Sequence, residues 1–183
     1  EIKDNPARHL RVRGTGDARA PFFTDQDEQR LLFELSQMSN PNHLRLTKLA
    51  LFTGFRRSEL LSLNWRNIDL HTEKIYIQRK ECAARGSSSS MRIVPLPHKA
   101  KDLLRSFKNK EGKIINLTKG SARNGFDKAK KKADLNNLRF HDLRHIAISR
   151  MWGYGMNALE ISACSGHRDI KMLMRYSHYF LST

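Results

Sequence analysis

The residues of this chain best suited to chemistry lie in four short clusters rich in arginine, histidine and tyrosine. They read Thr53-Gly54-Phe55-Arg56-Arg57-Ser58-Glu59-Leu60, His141-Asp142-Leu143-Arg144-His145, Gly166-His167 and Arg175-Tyr176-Ser177-His178. Arginine offers a planar, permanently charged fork for phosphate oxygens, histidine moves protons near neutral pH, and a tyrosine phenol can act as a nucleophile. Together these groups could hold a phosphodiester and attack it.

The charge of the chain indicates the same kind of substrate. Its 183 residues include 34 Lys+Arg and 18 Asp+Glu, a net charge of +16, which favours nucleic acid as the partner. There is no apolar run of membrane-spanning length, no signal peptide and no lipidation signal. The two cysteines, Cys82 and Cys164, fit a reducing compartment. We therefore expect a cytoplasmic, DNA-associated protein that does not bind membranes.

The elements that must position these clusters predict a mainly α-helical domain with one small antiparallel β-sheet, an α+β arrangement. Residues 1–20 are basic, contain Pro6, Gly14 and Gly16, and lack apolar periodicity, so they predict a linker or arm before a single domain over residues 21–183. Periodicity predicts helices over residues 24–38, 41–54, 98–108, 119–132, 139–152, 157–165 and 169–176, with a short helix through Leu60 and Leu63. Strands are predicted at 68–70, 74–78 and 92–96, with a serine-rich loop over 81–90.

The four clusters, in this order, resemble the motifs of the tyrosine recombinase family, also called phage integrases. The resemblance spans residues 53–178 and implies the catalytic-domain fold of that family. It also implies a site-specific DNA recombinase or integrase that cuts and rejoins strands through a covalent 3′-phosphotyrosyl intermediate. No metal or nucleotide cofactor is expected.

Two arginines and a tyrosine are the central predicted catalytic residues. Arg56 and Arg144 are expected to clamp the non-bridging oxygens, on which negative charge develops during attack. Tyr176 is the predicted nucleophile because it follows His167 at the spacing that the resemblance favours, and Tyr179 is the alternative. Arg57 should project away from Arg56 towards the surface or the DNA backbone.

Further residues are expected to move protons or support the site. His141 and His167 would hydrogen-bond the phosphate and assist proton transfer, and the sequence leaves open which one is the base. Lys80, at the end of a strand, is the predicted proton donor to the leaving 5′-oxygen, with Arg79 and Lys74 as surface alternatives. Two supporting residues are also predicted: Glu59, which would brace Arg56, and His145, which would pack beneath the site rather than bind zinc.

The resemblance also carries expectations about assembly. It implies a separate core-binding domain, which this chain is expected to lack, and a homotetramer on paired DNA sites, with accessory DNA-bending proteins as further partners. Two other functions fit part of the pattern: a type IB topoisomerase, which has similar chemistry, and a non-catalytic DNA-binding module. A mere DNA-binding module would need basic charge but not a tyrosine among paired arginines and histidines, which favours an enzyme.

Overall fold

The computed structural model describes residues 23–78, 91–167 and 169–177, with the backbone alone for 174–177. The helices in these ranges are α1 (Asp25–Ser36), α2 (Asn42–Thr53), α3 (Arg57–Ser62), α4 (His98–Arg105), α5 (Lys119–Lys132), α6 (Asp142–Gly153), α7 (Ala158–Ser165) and α8 (Ile170–Ser177). A 3-10 helix (Trp65–Asn67) precedes strands β1 (Ile68–Asp69), β2 (Lys74–Gln78) and β3 (Met91–Pro95). The predicted fold class, mainly helical with one small sheet, is confirmed.

The three strands form an antiparallel sheet in the order β1-β2-β3. Side chains of a strand alternate between the two faces, and in this sheet Ile75 and Ile77 of β2 are buried together with Arg92 and Val94 of β3. Ile77 lies directly opposite Arg92 in the ladder. The charged side chain of Arg92 therefore lies among apolar side chains on the buried face of the sheet.

Helix α2 is the centre of the helical core. It packs against α1, α3, α4, α5 and α6, and it is buried along most of its length, as expected of a helix with apolar residues on several faces. It ends at Gly54, which adopts a left-handed conformation with φ of 66°, the conformation that a glycine after a helical run indicates. Arg56 is the N-cap residue of α3, in extended geometry, and so lies at the corner between α2 and α3.

Two predicted helices differ from the structure by three residues at one end. Helix α6 begins at Asp142 rather than Arg139, because the Asp142 carboxylate accepts the Arg139 backbone N–H at 2.7 Å and fixes a turn before the helix. Helix α4 ends at Arg105, three residues earlier than predicted. The chain turns there so that Phe107 packs edge-on against Trp65, with ring centroids 5.7 Å apart. In the described part of the chain, no helix is long and apolar enough to span a membrane.

A pair of glycines in α5 tests the packing of the helical core. A Cβ at Gly125 would lie 2.2 Å from Nδ1 of the buried His43, whereas a Cβ at Gly120 would meet nothing closer than 3.9 Å. Alanine in a helix ordinarily stabilises by up to about 1 kcal/mol over glycine. We predict that Gly125→Ala destabilises by about 1–3 kcal/mol through overpacking, while Gly120→Ala is neutral or stabilising, as measured by urea unfolding. Equal effects at the two positions would contradict the tight contact between His43 and α5.

Candidate active site

The predicted catalytic residue Arg144 is buried, with 3% of its surface exposed. Its Nη1 donates to the carbonyl oxygen of Gly54 at 2.7 Å, and its Nη2 donates to the carbonyl oxygen of Ser165 at 2.8 Å. A buried charge needs hydrogen-bonding partners to offset its desolvation. The two carbonyls supply such partners and hold the guanidinium plane in one orientation.

Both carbonyls lie at the C-terminal ends of helices. Gly54 caps α2 and Ser165 ends α7, and the residue after Ser165, Gly166, is again left-handed with φ of 74°. The last carbonyls of a helix lack partners within it and carry partial negative charge. Two helix ends therefore converge on one guanidinium and stabilise its charge.

His167 lies against Arg144. Its Nδ1 and Nε2 are each 3.3 Å from Arg144 Nη2, and its Nδ1 is 2.8 Å from Ser165 Oγ. Because the single Ser165 hydroxyl proton is donated to the Ile161 carbonyl at 2.6 Å, Oγ is left to accept from Nδ1–H. This favours the tautomer in which Nε2 is the acceptor. Burial, and next the positive charge of Arg144, lower the pKa of His167 to about 3, so the ring is neutral at pH 7.

His141 and His145 form a histidine pair at the start of α6. Their rings meet edge to face with centroids 4.8 Å apart. Burial, then the charge of Arg144, lowers the pKa of His141; burial, then the neighbouring His141, lowers the pKa of His145 to about 4. Each neutral imidazole keeps one ring nitrogen unprotonated at pH 7, and the low pKa makes His167 a weak base until a negative charge lies beside it. His141 and His167 both stay candidates for the base.

Arg56 and Glu59 form the exposed side of the site. The Glu59 carboxylate accepts the Arg56 backbone N–H at 2.8 Å through Oε2, and its Oε1 lies 3.3 Å from Arg56 Nη1. The Arg56 side chain is 47% exposed and Glu59 only 14%. Glu59 thus lies where the sequence predicts a brace for Arg56, and its role remains a prediction.

These side chains line one cavity, which we call the arginine–histidine cleft and define by six residues: Arg56, Glu59, Arg92, His141, Arg144 and His167. The carboxylate of Asp169 also lines the cavity, so three guanidinium groups and two carboxylates leave a net charge of +1 when the histidines are neutral. Such a cleft can bind a phosphate group and stabilise added negative charge on its oxygens.

The structure brings four of the six predicted catalytic residues into this cleft. Tyr176 is in the last turn of α8, a helix that packs against α6 and α7 and is anchored by the buried Leu173; the Tyr176 side chain is outside the described part. Lys80, with its alternative Arg79, also lies outside the described residues. The structure therefore tests neither assignment.

Sequence reasoning missed three residues that support the cleft: Ser165, Asp142 and Arg92. Strand alternation could have revealed Arg92, because it shares parity with Val94 and Leu96 and so belongs to the buried face. Ser165 and Asp142 gave no comparable signal, since each acts through hydrogen bonds of the folded chain. Among the residues described, no group of three His, Cys, Asp or Glu side chains could hold a metal ion.

The depressed histidine pKa values predict how stability depends on pH. The unfolded chain takes up protons near pH 6.5, whereas the folded chain takes them up on His145 and His167 only near pH 4 and 3. Stability should therefore be full above pH 6.5 and fall as the pH drops towards 4. We predict that His145→Gln lowers the slope of the unfolding free energy against pH by an amount that corresponds to about one proton. Denaturant unfolding across pH 4.5–7.5 measures this slope. The control His71→Gln, at an exposed position, should keep the wild-type slope, and an unchanged slope in His145→Gln would contradict the prediction.

Comparison with known proteins shows which sequences this chain resembles. The sequence model of the phage integrase family matches residues 21–181. The chain is 33% identical to the shufflon-specific DNA recombinase of Escherichia coli, over 96% of this chain and 44% of that protein. It is 28% identical to the integrase of Haemophilus phage HP1, over 96% of this chain and 49% of that protein. The chain thus spans about half the length of these relatives.

Solved structures share the fold. The catalytic domain of bacteriophage HP1 integrase superposes with a TM-score of 0.69 at 29% identity, covering 86% of this chain and 87% of that one. XerA recombinase superposes at 0.66 and 19% identity, covering 89% of this chain and 61% of that one, a likeness that concerns the fold alone. With its motifs, its cleft and a family match over most of its length, the chain belongs to the phage integrase family, the tyrosine recombinases.

Proposed function

We propose that this chain is the catalytic domain of a site-specific DNA recombinase that cleaves and rejoins strands through a 3′-phosphotyrosyl intermediate. The observation that carries the proposal is the environment of Arg144. Its buried guanidinium donates hydrogen bonds to two backbone carbonyls and lies beside neutral His167, in one cleft with Arg56. A protein that only binds DNA has no need to bury an arginine against two helix ends, since exposed cations suffice for phosphate contacts. The arrangement is suited to stabilising a transition state.

In the proposed reaction the phenol oxygen of Tyr176 attacks the scissile phosphorus. A bond forms between phosphorus and the tyrosine oxygen, while the bond to the 5′-oxygen breaks. Arg56 and Arg144 stabilise the charge that develops on the non-bridging oxygens. His141 or His167, both neutral, can accept the phenol proton, and Lys80 is the proposed donor to the leaving 5′-oxygen. One phosphate ester replaces another, so the reverse attack rejoins the strand without ATP.

Several features support double-stranded DNA as the substrate. A second cavity, lined by Arg57, Arg123, Lys130, Arg139 and also by His141, adjoins the arginine–histidine cleft. Basic side chains in both cavities would allow contacts to phosphates beyond the scissile one. The E. coli relative is named a DNA recombinase, and XerH, which shares the fold at 19% identity and a TM-score of 0.66, has been solved bound to its difH substrate.

We further propose an organisation in which residues 21–183 form the catalytic domain and residues 1–20 form a basic arm. Strand exchange between two DNA sites requires a nucleophile for each of the four strands that are cut. A homotetramer on paired sites is the assembly that supplies them, with a core-binding domain and accessory DNA-bending proteins as further parts of the complex.

The chemistry is tested by trapping the covalent adduct. The binding site is first selected from random-sequence duplexes, and a nicked duplex carrying it then serves as a suicide substrate, because loss of the short strand prevents rejoining. We predict a protein–DNA adduct on a denaturing gel with the wild type and with Tyr179→Phe, and none with Tyr176→Phe, because only the Tyr176 phenol would attack.

Two results would contradict this proposal. Loss of the adduct with Tyr179→Phe but not with Tyr176→Phe would assign the nucleophile to the other tyrosine. A wild-type protein that binds the selected DNA yet forms no adduct would indicate a non-catalytic DNA-binding module.

A further inference from the structure

Arg92 is a buried arginine that none of the predicted catalytic steps uses. It projects from β3 on the buried face of the sheet, opposite Ile77, and only 6% of its side chain is exposed. Its guanidinium carbon lies 5.4 Å from the centre of the buried Phe55 ring, a cation–π distance. Burial of a guanidinium is costly unless its surroundings compensate the charge, so the contacts of Arg92 must offset that cost.

The first contact leads to Arg56. Arg92 Nη2 lies 3.5 Å from Glu59 Oε1, the same oxygen that lies 3.3 Å from Arg56 Nη1. Glu59 therefore stands between a buried and a half-exposed arginine. Because its negative charge is shared with Arg92, it neutralises Arg56 less completely, and it can orient Arg56 while leaving that guanidinium attractive to a phosphate.

The second contact leads to His167. A Cβ placed on Gly166 would lie 1.6 Å from Arg92 Nη1, so the guanidinium rests directly against the backbone of the residue before His167. Gly166 is also the left-handed cap of α7. Its lack of a side chain thus serves two purposes, since it allows the backbone to turn and gives Arg92 room.

We propose that Arg92 is a positioning residue for strand cleavage, which holds Arg56 through Glu59 and His167 through Gly166. This inference rests on the proposed recombinase function and assigns to it a residue outside the four sequence clusters. Arg92 joins the sheet to α3 and to the end of α7, so one guanidinium sets the spacing between two catalytic side chains that are distant in sequence. It does not touch the scissile phosphate in this proposal.

The test compares Arg92→Met, Arg92→Lys and Glu59→Gln on the selected suicide substrate. Methionine keeps the apolar length of the side chain and removes its charge and donors, and lysine restores the charge without the planar fork. We expect single-turnover cleavage by Arg92→Met to fall about 10- to 100-fold, as small misplacements of catalytic groups do. Arg92→Lys should recover part of that loss, and DNA affinity should change less than threefold, because phosphate contacts outside the cleft remain.

A double-mutant cycle distinguishes positioning from general support of the fold. If Arg92 acts on Arg56 through Glu59, Arg92→Met with Glu59→Gln should cleave at nearly the rate of the slower single variant, since both break the same connection. Arg105→Met, an arginine exposed at the end of α4, is the matched control and should cleave like the wild type. Thermal unfolding of each variant verifies that it is folded at the assay temperature, and if Arg92→Met is not, the cycle is run with Arg92→Lys.

Three outcomes would overturn the proposal. They are a folded Arg92→Met variant that cleaves within twofold of the wild type, fully multiplicative effects of the two substitutions, and a rate loss explained entirely by weaker DNA binding. Absence of any adduct with the wild-type protein would instead refute the proposed function, so the two failures are distinguishable.

Discussion

The arrangement of this domain depends on how it keeps the Arg144 guanidinium charged inside the protein. Removing such a group from water costs on the order of several kcal/mol, and the carbonyls of Gly54 and Ser165 offset this cost at 2.7 and 2.8 Å. Both lie at helix C-termini, where oxygens lack helical partners. The ends of α2 and α7 must therefore meet at one point, and the left-handed Gly54 and Gly166 end the two helices there.

This constraint explains why the site combines residues that are far apart in sequence. The turn that follows Gly54 brings Arg56 to the start of α3, and the turn at Gly166 brings His167 against Arg144. The glycines of two sequence clusters thus have a structural role, and the predicted catalytic residues lie next to them in the same clusters. The charge of Arg144 also helps to keep His167 neutral, so the same interaction that organises the backbone prepares a possible proton acceptor.

Much of this could be predicted from the sequence, because helix caps, apolar periodicity and motif order are local signals. The left-handed end of α2, the corner at Arg56 and the small sheet were predictable in this way. The first turn of α6 was not, since it depends on the Asp142 carboxylate folding back on Arg139. Nor were the roles of Ser165 and Arg92, whose partners in the site come together only when α7, α3 and β3 have packed. Residues 79–90, which include Lys80, lie outside the described part of the chain, so the proton donor rests on the resemblance.

The proposed chemistry requires the cleft to direct a tyrosine of α8 to the 3′ side of a broken DNA strand. The most direct measurement is mass spectrometry of the wild-type covalent adduct after digestion with nuclease and trypsin, since trypsin cleaves after Arg175 and residues 176–183 contain no further lysine or arginine. The account predicts a single nucleotide joined through its 3′-phosphate to Tyr176. A nucleotide on Tyr179, on another residue, or joined through a 5′-phosphate would contradict it.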